Sequence, residues 1–391
     1  MHGSILLGFF LTIFFCSVTQ AQSQEVFDHE LRESISRVEV TVTDLFSRTE
    51  TKPVVITTFR PPGEGKFPLL ILNHGRAVEA TRHLQGRQRF LLQARWFVER
   101  GFVVMVPTRI GYGETFSPFD PEFVDACRQI PRLDRKDEAL YRQIMAVYDY
   151  AKTQDYVDIS RWLIAGQSLG GYTTVTVARR APPGLVGAIN FSGGYGGDPG
   201  NRKGNSCNPQ AWETSLAKKV AESAVPTLWL YWKNDWYWGE ATPQKWFRSF
   251  QVGGGQGEFV HFNPIRGDGH TGFSQDYKNW APVAERFLQT LPISLTAVSL
   301  TKPIPAPPAS GFASLEDIDK VPYLSDSGKE GYKNFLQKSF PRAFAINEEG
   351  QWGWSNGQWN ATNRALDDCN QKAKKPCRLY AVDDEVVWSS R

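Results

Sequence analysis

The chain has 391 residues, a formal net charge of +3, a hydrophobic content of 41% and 22% charged residues. This is ordinary globular composition, at a length that suits one large domain with a smaller second one. Because the charge is nearly balanced and no Lys/Arg cluster interleaves with aromatic residues, the sequence excludes a basic nucleic-acid-binding protein.

The N-terminus has the pattern of a signal peptide. Residues 5–15 are an uncharged apolar run, which is shorter than the roughly 20 residues that a membrane-spanning helix needs. Thr19 and Ala21 are small residues placed for cleavage after Ala21. We therefore predict a signal peptide at 1–21, no membrane span and a secreted or periplasmic protein; a buried N-terminal helix is the alternative.

Cleavage there would leave an even number of cysteines, namely Cys127, Cys207, Cys369 and Cys377. An even count in an exported chain indicates disulfides, because an oxidising compartment preserves them. Free buried thiols are the alternative if the chain is not exported. We favour Cys369–Cys377 across a short loop and Cys127–Cys207 between two loops at one edge of a sheet. No CxxC or HExxH spacing is present, so we expect neither a metal nor a cofactor.

From residue 38 to about residue 291, strand-like and helix-like stretches alternate. This alternation predicts an α/β fold in which helices cover both faces of a mostly parallel, eight-stranded sheet. The run FPLLILN at 67–73 is almost continuously apolar, as expected for a strand that is buried on both faces. The predicted strands are 38–46, 53–59, 67–73, 102–107, 162–166, 185–191, 227–231 and 258–262, and the predicted helices are 89–100, 136–153, 169–180 and 276–291.

The composition changes at residues 292–311, where five prolines accompany small residues. Such a stretch predicts a semi-extended linker, which separates a large domain at 22–291 from a small α+β domain at 312–391. In the small domain a helical face ends at Cys369, and 377–388 has the character of one or two short strands. Its tryptophans could contact an envelope polysaccharide or pack a small core; they are Trp352, Trp354 and Trp359.

The sharpest local signal is the segment 166–171, with the sequence GQSLGG, between a predicted buried strand and a predicted helix. A serine in this position occupies a tight, strained turn that exposes its hydroxyl above the sheet. Glycines on both sides let strand and helix approach without a Cβ clash. We therefore predict that Ser168 is a nucleophile; a small turn without chemistry is the alternative.

A serine hydroxyl needs a base to remove its proton and an acid to orient that base. In proteins with this turn, the acid and then the base follow the serine in the chain. His270 lies in the glycine-rich segment 267–272 after the last strand, whereas His261 lies inside that strand. His270 is therefore the predicted base.

The acid is expected after the preceding strand, 227–231. Asp235 follows this strand almost immediately and is the predicted acid. Asp268 is a rival only because it is close to His270, and Asp198 comes one strand too early. For the negative charge that develops on a substrate carbonyl, the backbone N–H groups of Leu169 and Arg76 are the predicted donors. We expect His74 to hold its loop by hydrogen bonds.

These segments, in this order, resemble the α/β-hydrolase superfamily, in particular its dienelactone hydrolase and prolyl-oligopeptidase-like branch. The resemblance covers about residues 38 to 291. It implies the catalytic set Ser168, Asp235 and His270. Dienelactone hydrolase itself uses a cysteine nucleophile, so the serine favours ester or amide hydrolysis. The segments that carry the resemblance are NHGRA at 73–77, RIGYGET at 109–115, GQSLGG at 166–171, WKND at 232–235 and GDGHTGF at 267–273.

Substrate contacts are predicted from aromatic residues next to Asp235. Trp236 and Trp238 could stack on a sugar or an aromatic acyl group, or these rings could pack the base of the loop. Residues 192–225 are long enough for a partial lid. The predicted function is an exported serine hydrolase that cleaves a carboxylic ester of a small molecule. A serine peptidase and a non-catalytic envelope-binding protein are the alternatives.

Overall fold

A computed structural model describes residues 27–123, 127, 133–219 and 225–389. The predicted signal peptide at 1–21 lies outside the described residues. None of the helices in the described part of the chain combines the length and the apolar composition that crossing a bilayer requires.

The main sheet has eight strands in the order β1-β2-β4-β3-β5-β6-β7-β8. The pairs β1–β2 and β2–β4 are antiparallel, and all other neighbours are parallel. The predicted mostly parallel, eight-stranded sheet is therefore confirmed. The strands are β1 Ser34–Thr43, β2 Thr49–Phe59, β3 Phe67–Asn73, β4 Val103–Thr108, β5 Val157–Gln167, β6 Leu185–Phe191, β7 Thr227–Trp232 and β8 Gly257–Phe262.

Helices cover both faces of this sheet. Strand β3 shows why its sequence is continuously apolar: Leu70 and Leu72 belong to one buried cluster, and Leu69 and Ile71 belong to another on the opposite face. The helices that accompany the sheet are α1 Glu79–Arg82, α2 Leu91–Val98, α3 Leu133–Lys152, α4 Leu169–Arg179, α5 Pro209–Leu216, α6 Ala241–Val252, α7 Gly272–Gln275 and α8 Tyr277–Thr290. Helices α2 and α8 contribute to the first cluster, and α3 and α4 contribute to the second.

Among the element boundaries that differ from the prediction, two have a clear local reason. Strand β1 ends at Thr43, because the Asp44 carboxylate accepts hydrogen bonds from the backbone N–H groups of Phe46 and Arg48, both at 2.9 Å. This arrangement turns the chain into β2. Helix α2 begins only after Phe90, which has a left-handed backbone conformation with φ of 46°.

A second, four-stranded antiparallel sheet follows in the order β10-β9-β11-β12. The structure thus confirms a small α+β unit, and the predicted helix and terminal strands correspond to α10, β11 and β12. Strands β9 and β10 were not anticipated, because five-residue strands are too short to show a clear period; helix α9 was not predicted either. The elements are α9 Asp326–Leu336, β9 Arg342–Ile346, β10 Trp352–Asn356, α10 Ala361–Asn370, β11 Arg378–Val382 and β12 Glu385–Val386.

Residues 292–311 contain neither helix nor strand, but they lie against the main unit. Leu300 is buried in the cluster that contains α2 and α8. The Thr301 carbonyl accepts a hydrogen bond of 2.6 Å from Arg95, and the Arg95 guanidinium also lies 3.7 Å from the Trp359 ring centroid. The division into domains at 22–291 and 312–391 is therefore our proposal for two units that contact each other.

The tryptophans of the second unit take part in packing. Trp352 stacks on Phe344, with 5.8 Å between ring centroids, and a Cβ added to Gly331 would lie 2.3 Å from the Trp352 ring. Trp354 is one of the partly buried residues that pack against the same core. Polysaccharide binding by these rings stays a prediction.

Candidate active site

Ser168 occupies the turn between β5 and α4. Its backbone has φ of 58° and ψ of −123°, a conformation that is costly for a residue with a side chain and that marks functional turns. The Ser168 N–H donates to the Phe191 carbonyl at 2.9 Å, which anchors the turn to the neighbouring strand β6. The strained strand-to-helix turn that the sequence predicted is therefore present.

The glycines of this turn are required by close backbone contacts. A Cβ on Gly166 would lie 2.4 Å from the Gly170 carbonyl oxygen, and one on Gly170 would lie 2.2 Å from that of Asn73. Gly171 is equally confined, with 2.3 Å to the Asn190 side-chain oxygen. Any side chain at these positions would push α4 away from the sheet and move Ser168 with it.

Asp235 and His270 meet at the same edge of the sheet, beyond the carboxyl ends of β7 and β8. His270 Nδ1 donates to Asp235 Oδ2 at 2.9 Å. The other carboxylate oxygen, Oδ1, accepts the backbone N–H groups of Tyr237 and Trp238 at 2.8 and 3.1 Å. With Asp235 only 2% exposed and His270 only 6% exposed, this arrangement fixes the tautomer and leaves Nε2 of the imidazole as the free acceptor.

The loop that carries His270 packs tightly on the loop that carries Asp235. A Cβ on Gly269 would lie 2.8 Å from the Asp235 backbone nitrogen, and one on Gly272 would lie 2.2 Å from the Trp232 ring. The rival acid, Asp268, accepts the backbone N–H groups of His270 and Trp236. It therefore holds the loop, whereas the imidazole donates to Asp235.

The serine turn contacts the histidine loop through the residue before the serine. Gln167 Nε2 donates to the His270 carbonyl at 3.0 Å. A Cβ on Gly75 would lie 3.0 Å from the Ser168 Cβ and 2.8 Å from Gln167 Oε1, so the loop after β3 approaches the serine closely. The three predicted catalytic residues and the predicted oxyanion loop thus lie at one edge of the sheet.

His74 holds this loop, as the sequence analysis expected. Its Nδ1 donates to the Gly75 carbonyl at 2.6 Å, and its Nε2 accepts the Arg109 backbone N–H at 3.1 Å. Burial and the Arg109 guanidinium keep the pKa of His74 well below its usual value. The neutral imidazole therefore serves structure, because both nitrogens are used in orienting the chain.

A cavity of about 490 Å³ lies beside Ser168, within the range of about 300–1,000 Å³ typical of small-molecule sites. Leu169, Arg76 and Trp238 contribute to its wall. Trp236, the other predicted substrate contact, is not among the residues that line it. That ring is 36% exposed and is covered by the Lys203 ammonium at 3.4 Å from its centroid.

Tyr237 belongs to the aromatic run around Asp235 but was not among the predicted substrate contacts. Its ring stacks on the His270 imidazole with 4.0 Å between centroids and an interplanar angle of 26°, and it also lines the cavity. The aromatic run around Asp235 was the available signal. Only the turn after β7 decides which of these rings faces the imidazole.

A buried ionic network supports the cavity wall. Arg109 forms an ion pair with Glu122, and both side chains are fully buried. Glu122 also accepts a hydrogen bond of 2.9 Å from the Tyr112 hydroxyl. Arg76 contacts Asp120 at 2.6 Å. Burial by itself would raise the pKa of Glu122, but the guanidinium groups of Arg109 and Arg76 outweigh it and hold this pKa below the usual value.

We expect Glu122→Gln to lower the free energy of unfolding by about 3–5 kcal/mol, because it leaves a buried guanidinium uncompensated. Urea denaturation measures this change. The folded-state pKa of Glu122 is lowered. The difference in the free energy of unfolding between the variant and the wild type therefore has its full size above about pH 5, and it shrinks as the pH falls through the folded-state pKa. Glu114→Gln, which removes a solvent-exposed pair with Arg37, is the control and should cost at most about 1 kcal/mol. Equal effects of the two variants would contradict the assignment.

Both favoured cysteine pairings are present. Cys127 pairs with Cys207, with a Cα–Cα distance of 5.2 Å and a sequence separation of 80. Cys369 pairs with Cys377 at a separation of 8. The first pair connects the chain after Phe123, a cavity residue, to the loop that includes the cavity residues Gly194–Gly200.

We expect the double variant Cys127→Ala/Cys207→Ala to lower kcat/KM by about 10- to 100-fold, because two cavity loops lose their common anchor. Its free energy of unfolding should fall by about 2–4 kcal/mol. The matched control is Cys369→Ala/Cys377→Ala, which should leave kcat/KM unchanged. Equal kcat/KM values for the two double variants would show that the first disulfide does not shape the cavity.

Comparisons with known proteins give one family match and several similar solved structures. Residues 88–189 match the Prolyl oligopeptidase family. Solved structures that are similar include one described as a dienelactone hydrolase from Klebsiella pneumoniae subsp. pneumoniae, with 19% identity, a TM-score of 0.41 and coverage of 66% of this chain and 98% of that one. No curated protein matches the chain.

Two further similar structures are described as a peptidase and as an esterase. The acylaminoacyl peptidase of Pyrococcus horikoshii has 13% identity and a TM-score of 0.41, over 66% of this chain and 41% of that one, so the match spans less than half of the peptidase. The acetyl xylan esterase of Paenibacillus sp. R4 has 14% identity and a TM-score of 0.44, over 68% and 87%. With its strand order and its strained serine turn, the chain has the α/β-hydrolase fold predicted from the sequence.

Proposed function

We propose that this protein is a serine hydrolase that cleaves a carboxylic ester through an acyl-serine intermediate. The observation that carries the proposal is the hydrogen bond of 2.9 Å between His270 Nδ1 and Asp235 Oδ2, at the sheet edge where the strained turn carries Ser168. An imidazole oriented in this way is a base for a serine hydroxyl.

In the proposed acylation step, the Ser168 oxygen attacks the ester carbonyl carbon while its proton passes to His270 Nε2. The carbonyl oxygen becomes an oxyanion that the backbone N–H groups of Leu169 and Arg76 stabilise. The protonated imidazole then gives its proton to the departing alcohol oxygen. Water repeats the sequence on the acyl-serine and releases the acid, with Asp235 stabilising the imidazolium in both halves.

A serine peptidase is the second candidate, and the match of residues 88–189 to the Prolyl oligopeptidase family favours it. The two activities share the same steps, but an amine is a poorer leaving group than an alcohol and depends more on protonation. A site that cleaves amides therefore also cleaves activated esters, so ester hydrolysis is the more general expectation.

Labelling with a fluorophosphonate probe tests the proposal, because such probes react with activated serines. We expect labelling of the wild type at Ser168, identified by peptide mass mapping. A panel of p-nitrophenyl esters and aminoacyl p-nitroanilides then separates esterase from peptidase. A folded wild type that is neither labelled nor active on either panel would favour the non-catalytic binding protein.

We also propose that the protein is exported to the periplasm or secreted. The two cysteine pairs support this location, because disulfides persist in oxidising compartments. N-terminal sequencing of the mature protein checks the proposal, and a mature chain that begins at Gln22 is the expected result.

A further inference from the structure

Lys136, on helix α3, is a charged residue in the cavity wall that the proposed chemistry does not use. It is only 2% exposed, yet it lines the same cavity as Ser168 and Leu169. Lysine is rarely buried to this extent without a partner of opposite charge. Its position beside the proposed nucleophile therefore calls for a physical reason.

The surroundings of Lys136 are aromatic. Its ammonium nitrogen lies 3.6 Å from the ring centroid of Tyr172 and 4.6 Å from that of Tyr195. Within the part of the chain that the structure describes, the Lys136 ammonium forms no hydrogen bond or ion pair. The two ring faces stabilise a cation, but they leave the N–H donors of the ammonium without oxygen acceptors.

Two carboxylates whose charges act on Lys136, those of Asp137 and Glu122, are already engaged by other groups. Asp137 accepts a hydrogen bond of 2.5 Å from the Tyr172 hydroxyl. Glu122 is held by Arg109 and by Tyr112. Neither carboxylate neutralises Lys136 directly, so its charge is available to a molecule in the cavity.

Charged groups of both signs line the cavity: Arg76 and Lys136 are cations, and Glu79, Glu122 and Asp198 are carboxylates. The guanidinium groups of Arg76, Arg82 and Arg109 face two carboxylates, those of Asp120 and Glu122. Arg76 is paired with these two carboxylates, whereas Lys136 forms no ion pair among the described residues.

We infer that Lys136 is a specificity-determining residue that binds a free carboxylate on the substrate, so that the preferred substrates are esters bearing a second, ionised carboxyl group. This inference rests on the proposed ester hydrolysis. Two or three N–H donors of the ammonium would reach the carboxylate oxygens while the ester carbonyl lies against Ser168. The charge-assisted bond orients the substrate and rejects neutral acyl chains.

Two p-nitrophenyl esters of equal chain length, one with and one without a second carboxylate, test the inference. The mono-p-nitrophenyl ester of adipic acid carries the second carboxylate, whereas p-nitrophenyl hexanoate has the same chain length without it. We expect the wild-type ratio of kcat/KM, adipate over hexanoate, to exceed about ten. Lys136→Met keeps the apolar stem and removes the charge, and it should lower this ratio by about 10- to 100-fold.

Lys152→Met is the matched control. Lys152 lies at the end of the same helix α3, where it is exposed and paired with Asp149. This variant should keep the wild-type ratio. Lys136→Arg retains the positive charge and should restore part of the adipate preference that Lys136→Met loses.

The pH profile of the wild type gives an independent readout. Burial lowers the pKa of Lys136 to about 8, with Asp137 and Glu122 opposing this shift and Arg76 adding to it. The ammonium is therefore present below about pH 8 and is lost as the pH rises through that value. The adipate-to-hexanoate ratio should fall over the same interval, and pH effects on the catalytic groups that both esters share cancel in the ratio.

The outcomes separate the two proposals. If the wild type hydrolyses both esters and is labelled by a fluorophosphonate, but the ratio is unchanged in Lys136→Met, the carboxylate assignment is wrong and the hydrolase proposal stands. If neither hydrolysis nor labelling occurs in the folded wild type, the hydrolase proposal fails and the inference fails with it. If Lys136→Met shows no cooperative thermal melt, the wild-type pH profile decides, and a constant ratio from pH 7 to 9 overturns the inference.

Discussion

Ser168→Ala is expected to lower kcat by at least about ten-thousand-fold, because it removes the only atom proposed to form a bond with the substrate. Fluorophosphonate labelling should disappear in the same variant. The residual rate would come from the oxyanion donors and from binding, which survive the loss of a nucleophile in known serine hydrolases. Initial rates with p-nitrophenyl esters at saturating concentration measure the change.

The control for this variant is Ser160→Ala, which alters an exposed serine at the opposite end of the same strand, β5. It should keep full activity and full labelling. Both variants should melt at nearly the wild-type temperature, because neither removes buried apolar surface. Retention of more than about a tenth of wild-type kcat by a folded Ser168→Ala protein would refute the nucleophile assignment.

Asp235→Asn is expected to lower kcat by about ten-thousand-fold. The Asp235 carboxylate accepts the Nδ1–H of His270 at 2.9 Å and two backbone N–H groups through its other oxygen. An amide keeps this shape, but its NH₂ group donates to Nδ1 and so favours the tautomer that presents a proton to Ser168. In that tautomer the imidazole cannot act as a base. The amide also cannot stabilise the imidazolium as the carboxylate does.

Asp268→Asn is the matched test for Asp235→Asn. Asp268 accepts backbone N–H groups of Trp236 and His270, and an Asn side-chain oxygen accepts the same bonds. The loss of kcat should therefore stay below about tenfold. If Asp268→Asn proved the more damaging of the two, the acid would have been assigned to the wrong loop.

Local sequence patterns were sufficient for most of the main sheet. The bounds of β3 and β6 match the predicted strands 67–73 and 185–191, because buried parallel strands are continuous apolar runs that end in polar or glycine-rich loops. The serine turn was predictable for a related reason. Gly166 and Gly170 must lack side chains where strand and helix meet. This requirement can be read from the sequence as glycine at both positions.

Other boundaries depended on contacts that local patterns do not show. Asp44 ends β1 earlier than predicted because its side chain accepts N–H groups from the following turn. In the second unit, β9 and β10 were missed because short strands in a small sheet acquire their stability from pairing partners. Periodicity over five residues cannot distinguish such strands from loops.

The chain order by itself determined which residues could form the site: Ser168, Asp235 and His270 each follow a different predicted strand, and parallel strands bring their carboxyl ends to one edge. Only the tertiary structure decided what surrounds them. The stacking of Tyr237 on His270 and the burial of Lys136 in the cavity wall arise from elements far apart in sequence. Burial, charge balance and ring contacts are properties of packed neighbours, so a single stretch of sequence cannot encode them.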